Sequence, residues 1–269
     1  MYMQNLHTHT TFCDGADTAE EMIIAAIHKG FDSIGFSGHS YASYSKYWGD
    51  IDRAEEYKKT ILEQKKKYKD KIKIYLGLEV DMYSQPKMVG YDYLIGSVHY
   101  FKIGEEYVGF DRSEQEVETL IKKHFNGNGM EYAKYYYQTL AQLPQYGNFD
   151  IIGHFDLITK HSDNRTFFDT TAKEYLSAAF EAAEMLSKKI PLFEVNTGAI
   201  SRGYRKAPYP SMQIIRQFKK LGLGAVITSD SHSTNTIDCG FDLATELLRE
   251  CGFKEKYILT DNGFIAVAL

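Results

Sequence analysis

Short apolar runs of strand length alternate with amphipathic helical patterns along almost the whole chain. The runs that end at Leu6, Ser37 and Asn196 are each followed by a segment with helical periodicity. Strands that alternate with helices in this way form a parallel sheet. The pattern therefore predicts an α/β protein in which seven or eight strands close into a (β/α) barrel, with 1–269 as one domain.

Apolar periodicity and capping residues give the expected boundaries. Asp17 or Thr18 is expected to cap the first helix, and the Asn-Gly repeat at 126–129 separates two helices of a long insertion. The predicted strands are 2–6, four runs that end at Ser37, Glu79, His99 and His154, and then 192–196 and 225–229. The first predicted helix ends at Lys29, and the others cover 51–68, 113–123, 130–143, 171–189, 212–221 and 240–251. A short apolar stretch covers 257–259.

Histidines and carboxylates stand where these strands end. His7 and His9 are two residues apart after the first strand, and Asp230 and His232 repeat that spacing after the seventh. Side chains at positions i and i+2 of a strand project from the same face, so each pair directs two ligating atoms toward one point. The other apolar runs are closed by His39, Glu79, His99 and His154.

Imidazole and carboxylate groups together suit zinc, iron or manganese. An open catalytic site uses three or four protein ligands for each ion, so this many candidates imply more than one ion. In parallel barrels the active site lies at the C-terminal ends of the strands, where all of these candidates fall. The strand pattern and the ligand chemistry therefore indicate the same end of the barrel.

Charge and cysteine content exclude several other classes. A net charge of -5, with a basic run at 65–69 that matches a solvated helix face, predicts no nucleic-acid partner. We expect no membrane span and no targeting peptide, because the first ten residues already read as a strand and a ligand motif. Three unpatterned cysteines favour a reduced, cytoplasmic location. The oligomeric state is left open.

The candidate ligands stand in a series of short motifs along the chain: His7-Thr8-His9-Thr10, Asp14-Gly15, Gly38-His39-Ser40, Gly77-Leu78-Glu79-Val80-Asp81, Gly96-Ser97-Val98-His99, Gly153-His154-Phe155-Asp156-Leu157, Glu194-Val195-Asn196-Thr197-Gly198 and Ser229-Asp230-Ser231-His232. In these motifs and their order the chain resembles the polymerase and histidinol phosphatase (PHP) superfamily, and within it the monofunctional histidinol-phosphate phosphatases. The resemblance implies a distorted (β/α)7 barrel with up to three metal ions that hydrolyses a small phosphomonoester, L-histidinol phosphate, in histidine biosynthesis.

The same resemblance implies how two or three ions share their ligands. Ions about 3.5–4 Å apart can share a hydroxide that attacks phosphorus at neutral pH. Glu79, Asp230 and Asp14 are the expected catalytic residues, and Asp14, Asp156 or a metal-bound water would protonate the leaving alcohol. The first ion would be held by His7, His9, Glu79 and Asp230, the second by Glu79, His99 and His154, and the third by His39 and His232, with Asp14 as a further ligand.

A phosphate dianion also calls for cationic side chains. Arg202 is the first candidate because a guanidinium can bind phosphate through two parallel hydrogen bonds; Lys160, Arg165 and Arg205 follow. The aromatic loop with Tyr41, Tyr44, Tyr47 and Trp48 is either a lid over the site or a packed loop.

Other functions stay open at this point. They are a PHP phosphoesterase for nucleotides, oligonucleotides or phosphotyrosine, a non-catalytic metal-binding module, and an amidohydrolase, which also begins with a His-x-His strand. Glu79 and the segment 229–232 favour PHP over the last. Among residues outside these motifs, His28 and His124 are expected at the surface, and structural contacts are expected for His161 and Cys13.

Overall fold

The computed structural model describes residues 2–45 and 53–269. Within these ranges strands and helices alternate as the sequence predicts. The strands are β1 (Gln4–Asn5), β2 (Ser33–Phe36), β3 (Lys73–Asp81), β4 (Tyr93–Ser97), β5 (Tyr100–Ile103), β6 (Glu106–Gly109), β7 (Ile151–Ile152), β8 (Leu192–Asn196), β9 (Gly224–Thr228), β10 (Glu255–Thr260) and β11 (Gly263–Ala268). The helices are α1 (Ala19–His28), α2 (Ala54–Lys67), α3 (Glu114–Phe125), α4 (Gly129–Leu140), α5 (Lys173–Ser187), α6 (Gly198–Ser201), α7 (Met212–Lys220) and α8 (Phe241–Glu250).

One parallel sheet of the described chain forms the barrel, in the order β1-β2-β3-β4-β7-β8-β9. Its two edges meet just beyond β1 and β9, where Thr8 and Ser231 form a parallel bridge. There the amide of His9 donates to the carbonyl of Ser231 at 2.8 Å, and the amide of Ser231 donates to the carbonyl of His7 at 3.2 Å. The predicted (β/α)7 barrel is confirmed, with seven strands rather than eight.

The Asn5 side chain reinforces this closure. Its amide nitrogen donates to Ser229 Oγ at 2.6 Å and to the carbonyl of Ile237 at 3.0 Å. Its amide oxygen accepts from the backbone N–H groups of His7 and Ser229. A fully buried side chain thus connects the two segments that carry the His-x-His and Asp-x-His pairs.

The barrel interior is filled by apolar side chains from several strands. Tyr93 crosses it and donates from its hydroxyl to the carbonyl of Leu6. A Cβ atom at Gly35 or Gly77 would overlap the Tyr93 side chain, so these two positions need glycine. The β10–β11 hairpin packs Leu259 against this interior cluster, and Gln4 bonds to both the N–H and the C=O of Leu259.

Local signals explain where the helices begin. Thr18 and Ser113 form capping boxes with Glu21 and Glu116, which satisfy the amide groups at the starts of α1 and α3. The side chain of Asn128 caps α4 after the predicted Asn-Gly turn.

Two antiparallel hairpins differ from the prediction. The segment after His99 forms the β5–β6 hairpin instead of leading directly into the helical insertion, and the C-terminal apolar stretch is one strand of the β10–β11 hairpin. The strands β1 and β7 are also shorter than expected. No helix in the described ranges is long and apolar enough to cross a membrane.

Asn5→Ala should lower the free energy of unfolding by about 2–4 kcal/mol, because it leaves buried amide groups of His7 and Ser229 without their acceptor. Urea denaturation followed by circular dichroism measures the loss. Gln213→Ala, an exposed amide on α7, is the matched control and should stay within about 0.5 kcal/mol of wild type. Equal stability of both variants would contradict the closing role of Asn5.

Candidate metal centre

The nine predicted ligands lie together at the C-terminal end of the barrel, around Glu79. This carboxylate is 1% exposed. Its Oε1 atom lies 2.9 Å from His154 Nε2 and 3.5 Å from His99 Nε2. Its Oε2 atom lies 2.9 Å from His39 Nδ1, 3.2 Å from His7 Nε2 and 3.5 Å from His9 Nε2. Glu79 therefore has the position that a bridging ligand requires.

The two aspartates extend the cluster toward the opening of the barrel. Asp230 Oδ1 lies 3.2 Å from His9 Nε2 and 3.6 Å from His7 Nε2. Asp14 Oδ1 lies 3.4 Å from His232 Nε2, and its Oδ2 atom lies 3.5 Å from His39 Nε2. Asp230 has a φ angle of +47°, a left-handed conformation that is uncommon for aspartate and typical of strained functional sites.

Among the described residues, ligating atoms come within 4.8 Å of one another in three groups. The groups resemble the expected ligand sets, but His9 and His39 each occur in two of them. They are His7, His9 and Asp230; His39, Glu79 and His99; and His9, Asp14, His39 and His232. His154 adjoins the second group through its contact with Glu79.

The donor set fits divalent metal ions. His7 Nε2, His9 Nε2 and Glu79 Oε2 are buried and have no hydrogen-bonding partner in the described part of the chain. Buried polar atoms normally have a partner, so unsatisfied atoms that face one another fit a site for a cation. Imidazole and carboxylate donors suit zinc, manganese or iron.

Electrostatics favour a cation at the same place. Burial raises the pKa of Glu79, but the charges of His7 and His39 outweigh it and hold that pKa well below its usual range. Burial likewise opposes ionisation of Asp230, yet Arg202 keeps its pKa well below the usual range. Both carboxylates are therefore ionised near neutral pH.

The histidines fall into two electrostatic types. Burial, together with the charges of His232 and His39, lowers the pKa of His9 to about 3, so its imidazole is neutral, as ligation requires. Burial also disfavours a charged His7, but the nearby Glu194 and Glu79 raise its pKa well above 6.5. A metal ion at His7 Nε2 would supply the positive charge that these carboxylates favour.

Two further buried carboxylates orient ligands and were missed as site residues in the sequence. Glu194 Oε2 lies 2.8 Å from His7 Nδ1. Asp81 Oδ2 accepts from the amide of His99 at 2.9 Å and lies 3.4 Å from His99 Nδ1. Both residues stand in motifs that carry the family resemblance, Glu194 within the apolar run of β8 and Asp81 two residues after Glu79.

A cavity of about 480 Å³ opens onto the cluster; we call it the histidine-lined cavity. Four of the histidines and the carboxylates Asp14, Glu79 and Asp230 line it. The lining also includes Asp111, Arg112, Lys160 and Tyr204, of which only Lys160 was predicted. Lys160 Nζ lies 3.2 Å from Asp111 Oδ2 and 4.8 Å from the centre of the Tyr204 ring.

The predicted phosphate-binding cations separate into two pairs. Arg202 and Lys160 line the histidine-lined cavity. Arg202 donates to Asp230 Oδ2 at 3.1 Å and to the carbonyl of Asp230 at 2.9 Å. Arg165 instead pairs with Glu118 at 2.8 Å, and Arg205 donates to Thr159 Oγ1 at 2.6 Å. Neither is among the described residues that line the cavity, which removes the geometric basis for direct substrate contact at Arg165 and Arg205.

The remaining residues that the sequence analysis considered make mostly structural contacts. Asp156, which the sequence offered as a proton donor, is fully buried outside the cavity lining and accepts from the amide of Ser211 at 2.9 Å. His161 donates to the carbonyl of Arg112 at 3.0 Å, and His28 is exposed at the end of α1. His124 is half-buried rather than exposed.

The start of the aromatic loop packs against the hairpin. Tyr44 donates to Asp81 Oδ1 at 2.5 Å and stacks on Tyr107 with ring centres 4.2 Å apart. The packed-loop interpretation is therefore correct for Tyr44, whereas Tyr47 and Trp48 lie outside the described residues. Cys13 is not only a small apolar group that packs in the protein, because its sulfur lies 3.4 Å from His9 Nδ1.

Comparison with known proteins agrees with this geometry. The PHP domain family model matches residues 5–198. A probable histidinol-phosphatase of Deinococcus radiodurans is 26% identical, over 91% of this chain and 92% of that protein. A histidinol-phosphatase of Lactococcus lactis subsp. lactis is also 26% identical, over 93% of this chain and 91% of that protein.

A solved structure shares the fold. The histidinol phosphate phosphatase of Lactococcus lactis subsp. lactis, in complex with zinc, L-histidinol and phosphate, superposes with a TM-score of 0.76 and 23% identity, over 98% of both chains. This fold and site define a class of protein: metal-dependent barrels with a cluster of histidines and carboxylates at the C-terminal ends of the strands. Within that class, the chain belongs to the PHP family.

Removal of metal should abolish phosphate release, and zinc, manganese or iron should restore it. Glu79→Ala should lower both the bound metal per chain and kcat, the latter by several orders of magnitude, because the residue contacts more than one ligand group. His28→Ala should change neither. Elemental analysis and phosphate-release assays check these outcomes, and a Glu79→Ala protein with full metal content would show that the ligands are misassigned.

Proposed function

We propose that this chain is a metal-dependent phosphomonoesterase that hydrolyses L-histidinol phosphate to L-histidinol and phosphate, in histidine biosynthesis. The observation that carries the proposal is the cluster of histidines and carboxylates around Glu79 at the floor of an open cavity. Family membership and the two curated relatives named above, which match along more than nine tenths of this chain, support it.

We propose two or three divalent ions, with zinc, manganese and iron as candidates. When bound, such ions activate water near neutral pH and polarise phosphoryl oxygens. Glu79 would set the distance between two of the ions, since its two oxygens face different histidines. Asp230 and Asp14 would hold ions nearer the opening, where Asp14 keeps 32% of its side chain exposed.

The phosphate would lie between the ligand cluster and Arg202. The guanidinium of Arg202 is 30% exposed and is anchored on Asp230, so its orientation is fixed before substrate arrives. Lys160 supplies a second cation in the cavity lining. A water molecule would protonate the leaving alcohol. Asp156 lies outside the cavity lining, and the charge of His39 outweighs burial and holds the pKa of Asp14 well below its usual range, so Asp14 is ionised.

The imidazole and ammonium groups of the substrate would face the side formed by Asp111, Glu116, Tyr100 and Tyr204. Acidic and aromatic side chains suit both groups. A cavity of about 480 Å³ fits a small molecule, and a net charge of -5 gives no electrostatic attraction for an oligonucleotide.

We also propose that residues 1–269 act as one phosphatase domain. The family model ends at residue 198, but β9 and the ligand candidates Asp230 and His232 follow it and complete the barrel and the cluster. The cytoplasmic location stays a prediction.

L-Histidinol phosphate should exceed p-nitrophenyl phosphate, nucleotides, phosphotyrosine and sugar phosphates in kcat/KM by at least about two orders of magnitude, because a polar wall rejects analogues that lack its partners. Phosphodiesters should be poor substrates, since the second ester removes a phosphate charge. Kinetics on one metal-loaded preparation decide the matter. Equal or better turnover of a nucleotide, an oligonucleotide or phosphotyrosine would sink the histidinol phosphate assignment.

Arg202→Ala should reduce kcat/KM by about 100-fold to 1,000-fold at saturating metal, the scale for losing a preorganised donor to the transition state. The matched control is Arg165→Ala, which removes an arginine that pairs with Glu118 outside the cavity lining. Its kinetics should stay close to wild type. If both variants lose the same activity, or neither does, the placement of phosphate beside Arg202 is wrong.

A further inference from the structure

Glu194 is a carboxylate in the middle of β8 with no exposed surface. It points into the barrel and accepts hydrogen bonds on both oxygens. Oε2 accepts from His7 Nδ1 and from Thr228 Oγ1, each at 2.8 Å. Oε1 accepts from the backbone amide of His154 at 2.6 Å and from Asn196 Nδ2 at 2.8 Å.

The bond to His7 determines which ring nitrogen can bind metal. An ionised carboxylate only accepts hydrogen bonds, so the proton of the His7 ring lies on Nδ1. In the neutral ring that binds metal, Nε2 then keeps its lone pair, and it faces Glu79 at 3.2 Å and Asp230 at 3.6 Å. Carboxylates that hold a ligating histidine in this way fix both its tautomer and its orientation.

The second oxygen of Glu194 connects other ligands. The amide of His154 belongs to the residue whose ring lies 2.9 Å from Glu79. Asn196, held by Glu194, donates in turn to Asp230 Oδ2 at 3.4 Å. One buried side chain therefore links ligand candidates that follow β1, β7 and β9, all from its place on β8.

We propose that Glu194 is a positioning residue that presents His7 Nε2 to a metal ion and holds His154 and Asp230 in register with it. The proposal rests on the proposed function for its metal centre. Burying an ionised carboxylate is costly unless its partners compensate. A role in ligand geometry explains why this position carries a charge between the apolar residues Phe193 and Val195.

The test compares Glu194→Gln with wild type in metal binding rather than in activity alone. Glutamine keeps the size of the side chain but replaces one acceptor oxygen with an NH2 donor. In the variant this donor must face a group that donates to Glu194 in the wild type. Zinc titration of the metal-free protein against a chromophoric chelator should show at least one dissociation constant raised by about 10-fold to 100-fold. At saturating zinc, the KM for L-histidinol phosphate should stay near the wild-type value.

Asp150→Asn is the matched control. Asp150 is also a carboxylate of the barrel, directly before β7, and accepts from the amide of Leu94 at 2.8 Å. It follows from this position that it lies at the opposite end of β7 from His154. Its variant should bind zinc like wild type, whatever its thermal unfolding temperature.

Wild-type zinc affinity in Glu194→Gln, with only a lower unfolding temperature, would overturn the proposal and leave the phosphatase assignment intact. Conversely, wild-type protein that binds zinc but does not hydrolyse L-histidinol phosphate would refute the proposed function without contradicting the positioning role of Glu194. If Glu194→Gln does not fold, long-range ¹H–¹⁵N spectra of zinc-loaded wild type decide. The His7 signal, assigned by its loss in His7→Asn, should show the proton on Nδ1, and a proton on Nε2 would overturn the proposal.

Discussion

A carboxylate buried among imidazoles is the constraint on which this structure depends. Glu79 is almost without solvent contact, and its two oxygens face histidines from different strands of the barrel. An ionised group in such a place is stable only when positive charge surrounds it. The histidines supply part of that charge in the protein itself, and divalent ions would supply more. Burial is costly for the Glu79 carboxylate, but its position among imidazoles also makes it suited to bridge two metal ions.

The backbone keeps these ligands in place by continuing the sheet beyond the strands. Beyond β1 and β9, the segment around His7 and His9 is hydrogen-bonded to Ser231, and the amide of Ser40 donates to the carbonyl of Glu79. Ligand candidates from the two ends of the sequence are thereby fixed on neighbouring backbone. Glu194 and Asp81 then orient individual rings. Barrel closure and ligand geometry are parts of one hydrogen-bonded system, so a defect in Asn5 or Glu194 affects both.

The order of the barrel strands and the ligand cluster could be predicted because both follow from local rules. Apolar periodicity marks the strands, and a parallel barrel brings their C-terminal ends together, so His39 and His154 meet at Glu79 although more than a hundred residues separate them. The two hairpins could not be predicted in this way. The segment after His99 forms β5 and β6 because Tyr100 and Phe101 pack in the core, a tertiary effect that spacing does not encode. Arg165 pairs with Glu118 outside the cavity lining, and Asp111 and Glu194 were not predicted as site residues, because contacts between distant segments decide those roles.

The most direct test of the account is a crystal structure of the protein loaded with zinc or manganese, with anomalous data collected on both sides of the metal absorption edge. The account predicts at least two ions within the cluster, each within about 2.0–2.2 Å of nitrogen or oxygen ligands, with Glu79 bound to two of them and His7 ligating through Nε2. Ions located elsewhere, or a single ion that does not contact Glu79, would contradict it.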